Sequence, residues 1–354
     1  MGKEDHRRIE HRAYARVGFL GNPSDAYFGK TISFSLANVH ATVSLEPSST
    51  IRFLPHPVHD PGEFGSLQDM AERLRGEGYY GGLRLLMATC KVFHDFYSPG
   101  VAGEGISLHD RGFTLSYDTN IPRQSGLSGS SAIVWAALKC LLEYYEIPNE
   151  LQQVDSLPSL ILRVEEELGI TAGLQDRVVQ VYGGLVFMDF DKISMETKKK
   201  GIYKPMDPEL LPPLYLIYTK NPSDSGKVHS DVRKKWLSGD QHIHKLMSEV
   251  AEIAEEGRSC LLNRDYTSLA TLMDKNFDLR RQIFGDEVLG DINIKMVERA
   301  RSVGAACKFT GSGGAVVAFC PKGQLQAKVL IAACEASGFT VEACQIGPAS
   351  VTHI

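Results

Sequence analysis

Between Pro122 and Ala132 the chain reads Pro-Arg-Gln-Ser-Gly-Leu-Ser-Gly-Ser-Ser-Ala, and six of the seven residues from Ser125 to Ser131 are Gly or Ser. The run that follows, Ala132 to Tyr145, is strongly apolar, too long for a strand and stopped by Pro148, so it predicts a buried helix fed directly by the loop. Such an arrangement suits phosphate. Free backbone N–H groups and the positive end of the helix dipole attract an anion, glycine lets the backbone come close, and serine hydroxyls can hold a phosphate oxygen or Mg2+. A helix cap needs only one of these serines, and the surplus favours a ligand over a cap. The G-x-x-x-x-G-K-[ST] pattern is absent: Gly226-Lys227 is followed by Val228. Asp189-Phe190 is followed by Asp191 rather than Gly, so neither a Walker loop nor a protein-kinase signature accounts for the phosphate site.

Two more turns stand at the ends of strand-like segments. Ala13 to Leu20 runs apolar and breaks at Gly21-Asn22-Pro23-Ser24-Asp25, and a Gly-rich turn at Gly311 to Gly314 precedes a strand at Ala315 to Cys320. Asp176, in Gly173-Leu174-Gln175-Asp176, reads on its own as a turn or cap residue, and Glu165 to Glu167 as a solvated helix face ending at Gly169. Asp25 could equally cap its loop or accept two hydroxyl hydrogen bonds from a sugar.

Taken in order, Ala15 to Asp25, Pro122 to Ala132 and Lys308-Phe309-Thr310-Gly311-Ser312-Gly313-Gly314 resemble the three motifs of the GHMP kinases, the family of galactokinase, homoserine kinase, mevalonate kinase and phosphomevalonate kinase. Together they span nearly the whole chain. The resemblance implies an α+β, two-domain GHMP kinase fold, with an N-terminal α/β domain at 1–205, a C-terminal ferredoxin-like α+β domain at 206–354, and the active site in the cleft between them. It implies ATP held by Gln124, Ser125, Gly126, Leu127, Ser128, Gly129, Ser130 and Ser131, with Gly311, Ser312 and Gly313 closing over the phosphates. Asp176 matches the catalytic aspartate and Arg16 the basic residue beside it. An aspartate next to Arg16 has its pKa lowered and is a weak base, which suits positioning a hydroxyl and accepting its proton late. Glu165 and Ser131 match Mg2+ ligands, a choice that adjacent Glu166 and Glu167 leave open by one position. Asp25 and Asn22 match substrate contacts. The wording Asn-Pro-Ser-Asp-Ala-Tyr after Gly21 is most similar to sugar-acid 1-kinases, implying conversion of D-glucuronic acid to its 1-phosphate. The sugar carboxylate then needs a cationic or N–H partner, for which Arg12, Arg123 and Tyr182 are candidates. Two alternatives stay open: a 1-kinase for galacturonic acid, galactose, arabinose or a heptose, or a silent regulator of the same fold. The joint presence of Arg16, Glu165 and Asp176 speaks against the second.

The remaining pattern supplies elements to position these groups. Thr31 to Leu45 alternates like half-buried strands, Pro47 to Gly65 with its four prolines reads as loop, and Leu67 to about Phe96 as a helical region. A strand at Phe113 to Ile121, a helix at Ser159 to Leu168 and a strand at Gly183 to Met188 follow, and Lys198 to Pro213 reads as a domain boundary. Beyond it come a strand (Leu214 to Thr219), helices between Gln241 and Ser302, a helix at Gln324 to Ser337 and a strand at Phe339 to Ile346.

The composition narrows the class. At 354 residues, 43% hydrophobic and 23% charged, the chain is an ordinary globular one of two-domain size, with no apolar run approaching the roughly 20 residues needed to cross a bilayer. Thirty-eight basic against 43 acidic residues give a net charge of −5, which argues against nucleic acid as a partner. Lys198 to Lys200 and Arg233 to Lys235 read as solvated surface. Met1 to Arg12 is polar and reads as a loose tail rather than a signal segment. Seven scattered cysteines without a C-x-x-C point to a reducing, cytoplasmic setting. His56, His59, His242 and His244 lack a third ligand at a useful spacing, so they read as exposed and no zinc is expected.

Overall fold

The computed structural model describes residues 7–77, 79, 81–98, 106–170, 172–219 and 230–350. In chain order the elements are β1 (Ile9–Leu20), β2 (Lys30–Ser48), β3 (Arg52–Phe53), α1 (Leu67–Glu77), α2 (Gly82–Tyr97), β4 (Gly112–Thr119), α3 (Gly129–Tyr144), α4 (Leu157–Glu167), α5 (Gln175–Tyr182), β5 (Leu185–Asp189), α6 (Lys192–Lys198) and β6 (Ile202–Met206). They continue with β7 (Leu214–Tyr218), α7 (Ser230–Leu237), α8 (Gln241–Leu262), α9 (Tyr266–Phe284), α10 (Asp286–Leu289), α11 (Asp291–Ser302), β8 (Ala306–Phe309), β9 (Ala315–Phe319), α12 (Gln324–Glu335) and β10 (Thr340–Ala343). No helix among the described residues is long and apolar enough to cross a membrane.

Two compact units emerge, each drawn from separate stretches of chain: one from residues up to Ala15, Val39–Ile121 and Gly129–Ala172, the other from Arg16–Asn38, Pro122–Ser128 and Gly173 onward. In the first, the latter half of β2 pairs antiparallel with β4, from Ala41 opposite Thr119 to Ser48 opposite Gly112, and the short β3 joins β4 in parallel. Helices α2, α3 and α4 pack on one another. α3 is buried almost all round, as its unbroken apolar run requires, with Val134, Leu138 and Leu141 in the same core as Phe93, Phe113 and Ile161.

In the second unit the first half of β2 pairs antiparallel with β5, and β5 with β6. A separate antiparallel sheet in the order β10-β7-β9-β8 carries α9, α11 and α12, and α8 packs on α9. Ile32, Phe34 and Leu36 are fully buried, and so are Thr31, Ser33 and Ser35 between them. This half of β2 is therefore enclosed on both faces rather than half-buried.

Other sequence expectations shift in detail. The helical region after Leu67 is two helices, broken before Gly82, with residues 78 and 80 outside those described. Residues 9–12 of the expected tail are strand, with 1–6 outside those described. The stretch read as a boundary contains β6, paired residue for residue with β5. Lys198 and Lys199, and Arg233 to Lys235, are exposed as expected. Of the histidines read as exposed, only His242 is so: His56, His59 and His244 are half-buried, with the His56 and His59 rings stacked at 4.4 Å. The His56 Nδ1 accepts the Val58 and His59 N–H groups, and the His244 ring stacks on Trp236 at 3.7 Å.

Candidate active site

The second half of β1 carries Arg16 into the interior, where it is 4% exposed. Its guanidinium grips Asp176 through two parallel bonds, Nε to Oδ1 at 2.5 Å and Nη2 to Oδ2 at 2.7 Å. A planar fork matched to a carboxylate is the strongest form of such a pair. The third nitrogen, Nη1, donates to the Gly126 carbonyl at 2.6 Å and to the Thr310 carbonyl at 3.4 Å. The Arg16 N–H donates to the Leu127 carbonyl at 3.2 Å and the Gly18 N–H to that of Thr310 at 2.8 Å. Three loops distant in sequence thus meet at one cation. Gly126 is required there: its φ is 63°, and a Cβ would run into the backbone of Gly313.

Asp176 lies in the first turn of α5, where the helix dipole favours a carboxylate. Its Oδ2 also accepts the Ser128 hydroxyl at 2.5 Å and faces Arg177 Nη1 at 3.4 Å. Burial alone would raise its pKa, but the charge and hydrogen bonds of Arg16, with Arg177 and Ser128, outweigh burial and bring it down to about 2. Ser128 holds a left-handed backbone, φ 61°, a conformation that costs a non-glycine residue about 1–2 kcal/mol. Gln180 Nε2 secures it by donating to the Ser128 carbonyl at 3.0 Å.

Asp25, 9% exposed, has amide partners in place of an arginine fork: Gln175 Nε2 donates to Oδ1 at 3.2 Å and the Gln175 N–H to Oδ2 at 3.4 Å. Burial, reinforced by the nearby Asp176 charge, pushes its pKa up to about 7. Gly173 makes the contact possible, since a Cβ there would collide with the Asp25 carboxylate.

The turn after β1 is fixed from below. Lys308 is fully buried and donates to the Gly18 carbonyl at 2.8 Å, Asn22 Oδ1 at 2.7 Å and its neighbour Phe309's carbonyl at 2.7 Å. Burial, with Arg280 and Arg16 nearby, drives its pKa well below the usual lysine range. Asn276 on α9 donates to the Asn22 carbonyl at 3.1 Å and accepts the Gly21 N–H at 2.9 Å.

In the other unit, Glu165 is 0% exposed and accepts the Ser130 hydroxyl at 2.6 Å. Glu166 and Glu167 face solvent, Glu167 pairing with Lys91 at 2.8 Å, so burial singles out Glu165 of the three. Ser131 is fully buried in the first turn of α3. Among the described residues no group of three or more His, Cys, Asp or Glu could hold a metal by itself. A carboxylate with flanking hydroxyls fits the oxygen preference of Mg2+, which also takes water and phosphate oxygens.

The structure therefore brings Arg16, Asp176, Gly126, Leu127, Ser128 and Thr310 together, with Asp25 alongside on Gln175. Gly311 packs against the Gly126 carbonyl, while Ser125 turns its hydroxyl to the Pro122 carbonyl at 2.6 Å, closing its own loop. Tyr182, at the far end of α5, packs edge-on against Tyr203 at 5.6 Å. Arg123 and Gln124 are half-buried in the loop, and the Arg12 carbonyl accepts the Lys139 ammonium. Sequence reasoning left Gln175, Arg177, Gln180, Asn276, Arg280 and Lys308 without a role. Lys308, adjoining the third glycine turn, was the one whose position carried a signal.

Family profiles match twice: "GHMP kinases N terminal domain" over residues 85–184 and "GHMP kinases C terminal" over 258–336. The chain is 59% identical to "Probable glucuronokinase 2" of Arabidopsis thaliana over 346 residues, covering 98% of this chain and 93% of the relative. It is also 59% identical to "Glucuronokinase 1" of the same plant over 340 residues, covering 96% and 92%. Among solved structures, Lactococcus lactis galactokinase complexed with galactose superposes with a TM-score of 0.72 at 16% identity, covering 99% of this chain and 95% of that one, a likeness of fold.

Proposed function

This chain belongs to the GHMP kinase family, and we propose that it is an ATP-dependent sugar-acid 1-kinase, converting D-glucuronic acid and ATP to D-glucuronic acid 1-phosphate and ADP. The observation that carries this reading is the near-full-length identity to two glucuronokinases, and the Arg16–Asp176 pair supplies the chemistry.

In this reading the loop Gln124–Ser131 receives the nucleotide phosphates, with Gly311, Ser312 and Gly313 opposite. Mg2+ held by Glu165 and Ser131 would offset the charge on the β- and γ-phosphates. Ser130 fixes the Glu165 carboxylate. With a pKa of about 2, Asp176 is ionised at neutral pH and too weak a base to strip a sugar hydroxyl early. It orients the anomeric hydroxyl by accepting its hydrogen bond at a carboxylate oxygen and takes the proton late, as a loose phosphoryl-transfer transition state allows. Arg16 offsets the negative charge on Asp176 and holds the two glycine loops at a fixed distance from it. Asp25 and Asn22 contact sugar hydroxyls. In sequence order, residues 1–205 contribute the first two loops and Asp176, and residues 206–354 the third loop. Seven free thiols suit a cytoplasmic setting.

The test is a coupled ADP-release assay with Mg2+-ATP over D-glucuronic acid, D-galacturonic acid, D-galactose, L-arabinose and a heptose. D-Glucuronic acid is expected to give the highest kcat/KM. A different sugar in first place would overturn the substrate, and no turnover with any would overturn the kinase reading.

A further inference from the structure

Arg280 sits on α9 one turn beyond Asn276, the residue that holds the Gly21–Asn22 turn, so both project from the same helix face. It is 2% exposed. Its guanidinium carbon lies 5.0 Å from the centre of the Phe309 ring and 5.3 Å from that of Phe284, which leaves the charge enclosed by aromatic faces. Arg280 feels the positive charge of Arg16, and neighbouring Lys308 spends its donors on neutral oxygens, so neither offers Arg280 an anion. Nε and Nη2 of Arg280 are closed to solvent and have no hydrogen-bond partner among the described residues. A buried guanidinium with unmatched donors is costly, and natural proteins keep such groups where something else meets them.

Those two nitrogens are the same pair that Arg16 uses to grip Asp176. Nε and Nη2 form the flat edge that fits the two oxygens of a carboxylate. Building on the sugar-acid reading above, we infer that Arg280 is the residue that recognises the carboxylate of the sugar acid, with its Nε–Nη2 edge on the two carboxylate oxygens beside the Asn22 turn. Arg16 adds positive field without competing for the anion, being tied to Asp176, and Lys308 is occupied by neutral oxygens. A neutral sugar leaves the edge unmatched, and the penalty for an unmatched buried donor is what rejects it. Arg280 is thereby a specificity residue distinct from Asp176 and Arg16, which act on the reacting hydroxyl.

The experiment compares the wild type with Arg280→Met and Arg280→Lys on D-glucuronic acid and on D-glucuronamide, in which the carboxylate is replaced by a neutral group of the same shape. For Arg280→Met, KM for D-glucuronic acid is expected to rise about 100-fold, the scale of a lost charge-assisted pair, with kcat changed far less. The kcat/KM for D-glucuronamide should hold or rise, and Arg280→Lys should recover part of the acid preference. In thermal melts without substrate, Arg280→Met should unfold no lower than wild type, because it removes an uncompensated buried charge. Excess D-glucuronic acid should raise the melting temperature of the wild type and not that of the Met variant. An equal loss on acid and amide, or a fall in melting temperature with acid preference intact, overturns the assignment. A wild type inactive on D-glucuronic acid would instead remove the sugar-acid reading itself, an outcome visible in the wild-type arm alone.

Discussion

Asp176 and Asp25 are both buried, and both are held at the start of α5, yet their environments drive them in opposite directions. Asp176 faces a guanidinium fork, a serine hydroxyl and a second arginine, and is held at about 2. Asp25 faces the amides of Gln175 and feels the charge of Asp176, and is pushed up to about 7. Burial penalises the ionised form of each, so the partner decides the outcome. In the proposed reaction the two would divide the labour: a permanently charged group to orient the reacting hydroxyl, and one titrating near neutral pH that can donate or accept toward a sugar hydroxyl.

The largest effect should come from breaking the charged member. Asp176→Ala is expected to lower kcat by about 1,000-fold or more, within the range for a positioned acid–base group, with nucleotide binding retained in a fluorescence titration. A wild-type rate would remove Asp176 from the chemistry. Replacing the near-neutral member should act more gently. Asp25→Asn is expected to raise sugar KM about tenfold, the scale of a weakened hydrogen bond, with a smaller change in kcat. Its signature is in stability against pH. Because the folded protein holds the Asp25 proton up to about 7 while an ordinary aspartate releases it near 3.8, Asp25 favours folding at low pH, and that advantage is lost as pH rises across this window. Asp176 has the reverse sign, stabilising above 3.8 and losing that contribution as pH falls toward 2. Asp25→Asn should therefore flatten the melting temperature between pH 4 and 7 and melt higher than wild type at pH 8 by about 5 °C, a scale set by the usual unfolding entropy. A wild-type pH profile in the variant would mean that Asp25 is not the titrating group.

The loop from Ser125 to Ser131 was legible because a cap needs far fewer Gly and Ser residues, and the order of the three motifs along the chain carried more than any one of them. Asp176 was singled out only by the family resemblance, and the helix that bears it was not legible: α5 is eight residues long, contains Val178, Val179 and Val181, and has no side-chain cap. Glu165 could not be separated from Glu166 and Glu167 on spacing, because only packing of α4 shows which of the three turns inward. β6 was hidden in a lysine- and proline-bearing stretch that reads as a linker until β5 is seen pairing with it. Arg280 gave no signal, since an arginine on an amphipathic helix reads as solvated until its burial against Phe309 is known.

The most direct measurement is phosphorus NMR of the product formed from D-glucuronic acid and Mg2+-ATP by the wild type. The expected spectrum has a single new phosphomonoester whose phosphorus couples to the anomeric proton, formed together with ADP and absent with Asp176→Asn. A phosphate coupled to any other ring position, or ADP formed without a sugar phosphate, would contradict the assignment of this chain as a sugar-acid 1-kinase.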